Sequence, residues 1–352
     1  MQTTLDAICK QIGPLDEGAM QAARARQDRL TKPRGSLGRL ETLAIQLAGI
    51  TGAPIPRIRR KAVVIMAADH GIAAEGVSAY PPEVTRQMVR NFLDGGAAIN
   101  VLARQAGAQV LIVDIGAAGD SFPDAGLLAR KIAPGTANMT RGPAMRRDQA
   151  LAAVQAGIDI VCTDLPDDVD LVATGDMGIG NTSASAAILA VFTGAAPACV
   201  VGRGTGVDDA RLAHKVAMIE EALAANQPAP DDPMDVLAKV GGFEIAGLAG
   251  VMLAAAARRL PVVIDGFISG AAALAAARLA PNVLPYLIAS HRSDELGHQL
   301  MLDALGLHPL LDLGMRLGEG TGAVLAMHLV EAAVRLHTEM ATFAEAGVSE
   351  AG

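Results

Sequence analysis

The chain has 352 residues, 51% hydrophobic and 19% charged, which provides for a substantial core and excludes wholesale disorder. A net charge of −8, a pI near 5.4 and only 2% aromatics, with no tryptophan, remove the basic footprint and the stacking platforms of a nucleic-acid binder. The core is therefore expected to be Ala, Val, Leu, Ile and Met, in helices packed closely on a sheet.

The first 60 residues read as helices, Leu15 to Asp28 and Leu37 to Gly49, joined by Thr31-Lys32-Pro33-Arg34-Gly35-Ser36. No charged segment followed by an apolar one opens the chain. The three cysteines, Cys9, Cys162 and Cys199, are scattered without metal or CxxC spacing. Both features lead us to expect a soluble cytoplasmic protein. The Ala-rich run Ile245 to Ala257 comes closest to a membrane span, but it is short and is followed by Arg258 and Arg259.

A pattern then recurs: a β-branched run, an aspartate, a glycine. It is seen in AVVIMAADHG at Asp69, VLIVDIG at Asp114, LVATGDMG at Asp176 and VVIDG at Asp265. ACVVGRG and NVLPYLIAS share the apolar body without the aspartate. Segments of helical spacing lie between, at Glu83 to Ala103, Asp208 to Ala225 and Phe243 to Arg258, and QPAPDDP (Gln227 to Pro233) reads as a surface loop. Apolar strands alternating with helices predict an α/β fold with a parallel sheet covered on both faces. Ligands bind such sheets outside the carboxyl ends of the strands, where the Asp-Gly junctions fall.

Four strand-end segments carry candidate chemistry. In the first, His70 follows Asp69, and a loop with Ser78 and Tyr80 leads to a helix bearing Gln87. With no second His or Cys at ligand spacing, His70 reads as a hydrogen-bonded structural residue rather than a metal ligand. In the second, Met177-Gly178-Ile179-Gly180-Asn181-Thr182 joins a strand to an Ala-rich helix. Its glycines and helix start suit one phosphate, although a plain glycine turn with a cap is the other reading. It is neither a Walker A loop nor the GxGxxG fingerprint. The third is Gly202-Arg203-Gly204-Thr205-Gly206, with Lys215 downstream as a phosphate partner or a solvated helix residue, sequence alone favouring the latter. In the fourth, Ser290-His291-Arg292-Ser293-Asp294-Glu295 lacks a nucleophile elbow and reads as a polar loop touching ligand.

Near the end comes Gly314-Met315-Arg316-Leu317-Gly318-Glu319-Gly320-Thr321-Gly322, followed by the apolar helix Ala323 to Val334. Glycines at a helix start suit positive φ or close backbone approach, and a glutamate offered among them can accept a ligand's proton. A turn with a solvated glutamate is the alternative.

Taken together and in order, KPRGSLGRLE, ADHGIAAEGVSAYP, GDMGIGNTSASAAI, VGRGTGVDD, SHRSDELGHQ and RLGEGTGA make the chain resemble the nicotinate-nucleotide–dimethylbenzimidazole phosphoribosyltransferases over nearly its whole length. The resemblance implies a Rossmann-like α/β enzyme with a small helical domain built from residues 1–60 and 328–352 and a large domain over 61–327. It implies a homodimer that uses nicotinate mononucleotide and dimethylbenzimidazole, with no metal and no cofactor. Glu319 matches the family's general base. Gly178 to Thr182 (with Met177 before them), Gly204 and Lys215 match the phosphate region, and Ser78, Tyr80 and Gln87 lie on the base-binding side. Asp265, Ser293, Arg316, Gly318 and Gly320 complete the expected substrate site. Asp176 stands where related enzymes often carry glutamate, and its shorter reach places an auxiliary acid/base role in question. The competing classes are a non-catalytic nucleotide or base binder on the same fold, a pyridine-nucleotide dehydrogenase, and a Mg²⁺-dependent diphosphate-substrate phosphoribosyltransferase.

Overall fold

The computed structural model describes residues 4–119, 124–204 and 206–349. Thr205 of the second glycine cluster, and residues 1–3 and 350–352 of the terminal segments, lie outside the described residues.

Six parallel strands form one sheet: β1 (Lys61–Ala68), β2 (Ala108–Gly116), β3 (Leu127–Ala129), β4 (Leu171–Met177), β5 (Val262–Ile264) and β6 (Leu287–Ala289). Their order is β3-β2-β1-β4-β5-β6. The order reverses between β1 and β4, which opens a crevice at their carboxyl ends. All eight residues of β1 are buried, as a strand covered on both faces requires. Its alternate side chains serve opposite layers. Ala62, Val64 and Met66 join a core with the helices Arg147–Asp159, Phe243–Ala257 and Phe267–Leu279. Val63, Ile65 and Ala67 face the helices Arg39–Thr51, Ala98–Ala106 and Thr321–Glu339.

The small-residue composition is used in this packing. A Cβ on Gly157 would overlap the Gly247 carbonyl, and one on Gly250 the Val154 carbonyl, so the helices Arg147–Asp159 and Phe243–Ala257 cross backbone to backbone.

Three local expectations need correction. Glu83 to Ala103 is two helices, Glu83–Leu93 and Ala98–Ala106. The chain turns at Gly95 (φ +76°), and Asn100 closes the break by donating to the Phe92 carbonyl (3.0 Å) and accepting from the Ala97 amide (3.2 Å). The run ACVVGRG is not a strand, because Pro197 starts a four-residue helix, Pro197–Val200. In NVLPYLIAS only Leu287–Ala289 is extended, after a 3-10 turn over Pro281–Tyr286. The short edge strand β3 has no signal in the sequence, since Leu-Leu-Ala carries no alternation long enough to detect.

The first and last helical segments meet. Arg26 donates to the carbonyls of His337 (2.7 Å), Thr338 (3.2 Å) and Met340 (3.3 Å), and Gln27 bonds His337 at 3.1 Å. The helix Thr321–Glu339 runs unbroken from that junction to the carboxyl end of the sheet.

Candidate active site

At the carboxyl ends of β4 and β5, the Gly318-Glu319-Gly320 bracket forms the floor of the crevice. All three residues have positive φ (+83°, +64° and +91°). Left-handed backbone is uncommon for glutamate, so the flanking glycines set the path that presents it. The approach to the sheet is equally specific. A Cβ on Gly175 of β4 would overlap the Glu319 carbonyl, and one on Gly318 would lie 3.2 Å from Asp176 Oδ1. Glu319 is 6% exposed, so it is not the solvated turn residue that sequence allowed. Its Oε2 accepts from the Ile99 amide at 3.4 Å, at the start of the helix Ala98–Ala106. Burial raises its pKa, and that N–H opposes the rise.

Asp265 at the end of β5 locks the bracket to the helix that follows. Its Oδ2 accepts from the Gly320 amide (3.2 Å) and its Oδ1 from the Ala323 amide (2.9 Å), so it caps the helix Thr321–Glu339 from another strand. Burial nonetheless pushes its carboxyl up to about 7. Asp176 is buried, accepts from Asn181 Nδ2 at 3.2 Å, and lies well above the usual carboxylate range. Desolvation is the main cause, followed by the charges of Asp265, Glu244 and Glu319. Carboxylates gathered with so little water suit a ligand that carries or develops positive charge.

The segment Met177 to Thr182 rounds the end of β4, with Gly180 at φ +99° as the helix N-cap. It is held on two sides. The Ile179 amide donates to Thr85 Oγ1 at 3.1 Å, tying it to the helix Glu83–Leu93. A Cβ on Gly178 would come within 3.4 Å of the His70 ring, and His70 Nε2 is 2.6 Å from Glu244 Oε1 with both side chains buried. His70 is thus hydrogen-bonded as expected. Its partner Glu244 has no local sequence signal, since it opens an otherwise apolar helix 174 residues later.

The second glycine cluster closes the far side. Lys215 is 1% exposed, which corrects the solvated reading. Its Nζ donates to Thr182 Oγ1 at 2.8 Å and to the Gly202 carbonyl at 3.2 Å, and burial pushes its pKa down to about 8. Arg316 Nη1 donates to the Gly204 carbonyl at 2.8 Å. Ser293 is buried beside Gly266 next to Asp265, and its amide donates to His298 Nδ1 at 2.8 Å. Lys215 and Arg316 are thereby brought beside Thr182 and Gly204, from four separate stretches of sequence.

Ser78 and Tyr80 precede the helix Glu83–Leu93, which carries Gln87 and which Thr85 ties to Ile179. The Tyr80 amide donates to Ser78 Oγ (3.2 Å), while the Tyr80 side chain is 55% exposed and Gln87 is exposed as well. Leu296, Leu313 and Leu317 are exposed large apolar side chains in the segments that carry Ser293, Arg316 and Gly318. Among the described residues, no three His, Cys, Asp or Glu side chains are grouped to hold a metal ion. A cavity of about 510 Å³ lined by Arg146, Arg147, Lys239 and Phe243 lies outside this crevice, and its cations are already paired with Asp148, Asp232 and Asp235.

A family model described as phosphoribosyltransferase matches residues 12–348. The chain is 63% identical over 345 residues to the nicotinate-nucleotide–dimethylbenzimidazole phosphoribosyltransferase of Roseiflexus sp. (strain RS-1), covering 98% of each. It is 63% identical over 339 residues to the enzyme of the same name from Chloroflexus aggregans, covering 96% of each. A crystal structure of the Thermus thermophilus enzyme of that name superposes with a TM-score of 0.91 at 48% identity, over 96% of this chain and 100% of that one. A second, titled CobT from the same organism, gives a TM-score of 0.92 at 50% identity, over 95% and 100%.

Proposed function

This chain belongs to the phosphoribosyltransferase family that it matches from residue 12 to 348, and we propose that Glu319 is the base of its reaction. The enzyme transfers the 5-phosphoribosyl group from nicotinate mononucleotide to 5,6-dimethylbenzimidazole, giving α-ribazole 5′-phosphate and nicotinate for the lower ligand of cobalamin.

The observation that carries the assignment of Glu319 is its presentation. It is a buried carboxylate at φ +64° between two left-handed glycines, set over the end of β4 beside Asp176. One ring nitrogen of the benzimidazole attacks C1′ of the ribose while the C1′–N bond to nicotinate breaks. The bonding electrons return to the pyridinium ring, which leaves without its positive charge. Attack on the face opposite the leaving ring turns a β-linked substrate into an α-linked product. Positive charge builds on the attacking ring, its other N–H becomes acidic, and Glu319 takes that proton. The remaining catalysis is positioning and electrostatics. Asp176 and Asp265, both raised in pKa, lie where a cationic ring favours their ionised forms. Asp176 then adds to charge stabilisation rather than replacing Glu319 as the acceptor.

The phosphate sits by Gly178 to Thr182, Gly204 and Lys215, where a helix start, glycine backbone and a buried ammonium converge. Ser78, Tyr80 and Gln87 face the base. The exposed Leu296, Leu313 and Leu317 support a homodimer whose interface adjoins the site, checked by sedimentation. Residues 1–60 with 328–352 form a helical unit beside the 61–327 domain, although the helix Thr321–Glu339 crosses that boundary. No helix of the described residues is long and apolar enough to cross a membrane, and the free Cys9, Cys162 and Cys199 support a reducing cytoplasmic setting.

The test is to mix the protein with nicotinate mononucleotide and dimethylbenzimidazole and measure free nicotinate. Release that needs both substrates supports the assignment. Tight binding without release would leave only a nucleotide-binding protein.

A further inference from the structure

Glu295 is a buried acid in a region that needs positive charge. It is 7% exposed, and its Oε2 has no hydrogen-bond partner among the described residues. A Cβ on Gly202 would overlap Oε2, so the carboxylate lies against bare backbone there. Burial raises its pKa, and the charges of Lys215 and Arg316, with the Gly204 N–H, oppose that rise. Two cations hold the same short segment: Lys215 bonds the Gly202 carbonyl at 3.2 Å, and Arg316 bonds the Gly204 carbonyl at 2.8 Å. The segment Gly202–Gly204 is therefore fixed by carbonyl bonds to two cations and by contact with one acid.

We propose that Glu295 is a positioning residue for the substrate's 5′-phosphate, holding the Gly202–Gly204 backbone and the Lys215 ammonium where that phosphate meets them. The proposal rests on assigning the phosphate to Gly204 and Lys215. An ammonium 1% exposed needs a countercharge to stay ionised and in place, and Glu295 is the acid that opposes the effect of burial on Lys215. Glu295 also lowers the net charge of the pocket from +2 to +1 by counting Lys215, Arg316 and itself. Plain Coulomb reasoning says that removing an acid beside a phosphate site strengthens phosphate binding. Positioning says the reverse, so the two are separable by sign.

The experiment compares wild type with Glu295→Gln, using nicotinate mononucleotide and its phosphate-free nucleoside, nicotinate riboside. The expected result is a KM for the mononucleotide raised about tenfold or more, kcat within about twofold, and unchanged turnover of the riboside. The inhibition constant of inorganic phosphate should rise in step. Gly202→Ala, whose methyl group displaces the carboxylate without altering charge, should show the same pattern and serves should Glu295→Gln not fold. A KM that stays level or falls overturns the proposal. So does an equal loss with the riboside, which marks a general structural role. If wild type releases no nicotinate, the transferase assignment fails separately, and the same comparison is then read by calorimetric binding of the two ligands.

Discussion

Replacing Glu319 by glutamine removes a proton acceptor and little else. Volume is kept, the amide oxygen still accepts from the Ile99 N–H that now lies 3.4 Å from Oε2, and glutamine is no more strained than glutamate at φ +64°. A positioned base contributes about 10²–10⁴ to a rate, equal to about 3–5 kcal/mol of barrier. Nicotinate release by Glu319→Gln is expected to slow by that factor, with KM for both substrates within about twofold. Stability should move the other way. Burial raises the Glu319 carboxyl above its ordinary pKa. Such a group contributes stability below its unfolded pKa, and the contribution is lost as pH rises through the folded value. At neutral pH the ionised carboxylate therefore disfavours the fold, and glutamine relieves this. The variant should melt at or above the wild-type temperature at neutral pH, with the gap closing towards about pH 4. Turnover by nicotinate release and melting by calorimetry on the same samples decide it. Near-normal turnover, or lost turnover together with a lower melting temperature at neutral pH, would refute the reasoning.

Gly175→Ala should push the Glu319 carbonyl away from β4, lowering stability by about 1–3 kcal/mol and reducing kcat more than KM. Urea unfolding and steady-state rates measure the two effects, and an unchanged kcat would detach that contact from catalysis. Affinity for nicotinate mononucleotide should fall as pH rises through about 8, because Lys215 loses the charge that meets the phosphate. A KM flat to about pH 9.5 would remove Lys215 from that role. Turnover should survive excess EDTA, since the leaving ring is already activated by its charge, and loss restored by Mg²⁺ would place the enzyme with diphosphate-dependent transferases.

The strands β1, β2, β4 and β5 were legible because a strand buried on both faces must be a run of apolar residues, with Val63-Val64-Ile65-Met66 the plainest case. The Glu319 bracket was legible because glycines mark a backbone path that other residues resist. The charged partners were not. Lys215 sits in a helix with Arg211 and Glu220, and nothing local distinguishes it from a solvated lysine. Its burial depends on Thr182 and Gly202, which reach it only through the crossover. The same holds for Glu244 against His70 and for Glu295 against Gly202, pairs set by topology rather than spacing.

The unbroken helix Thr321–Glu339 also bears on the order in which the molecule assembles. Its far end is fastened to Arg26 and Gln27, some 310 positions away in sequence, and its near end carries the reactive loop. Contacts of such range are slow to close, and until they do Leu43, Leu47 and Val330 lack their shared cover. A refolding chain can complete its sheet before this helix docks. Recovery of activity should therefore lag behind recovery of strand signal, with catalysis reporting the final step of folding.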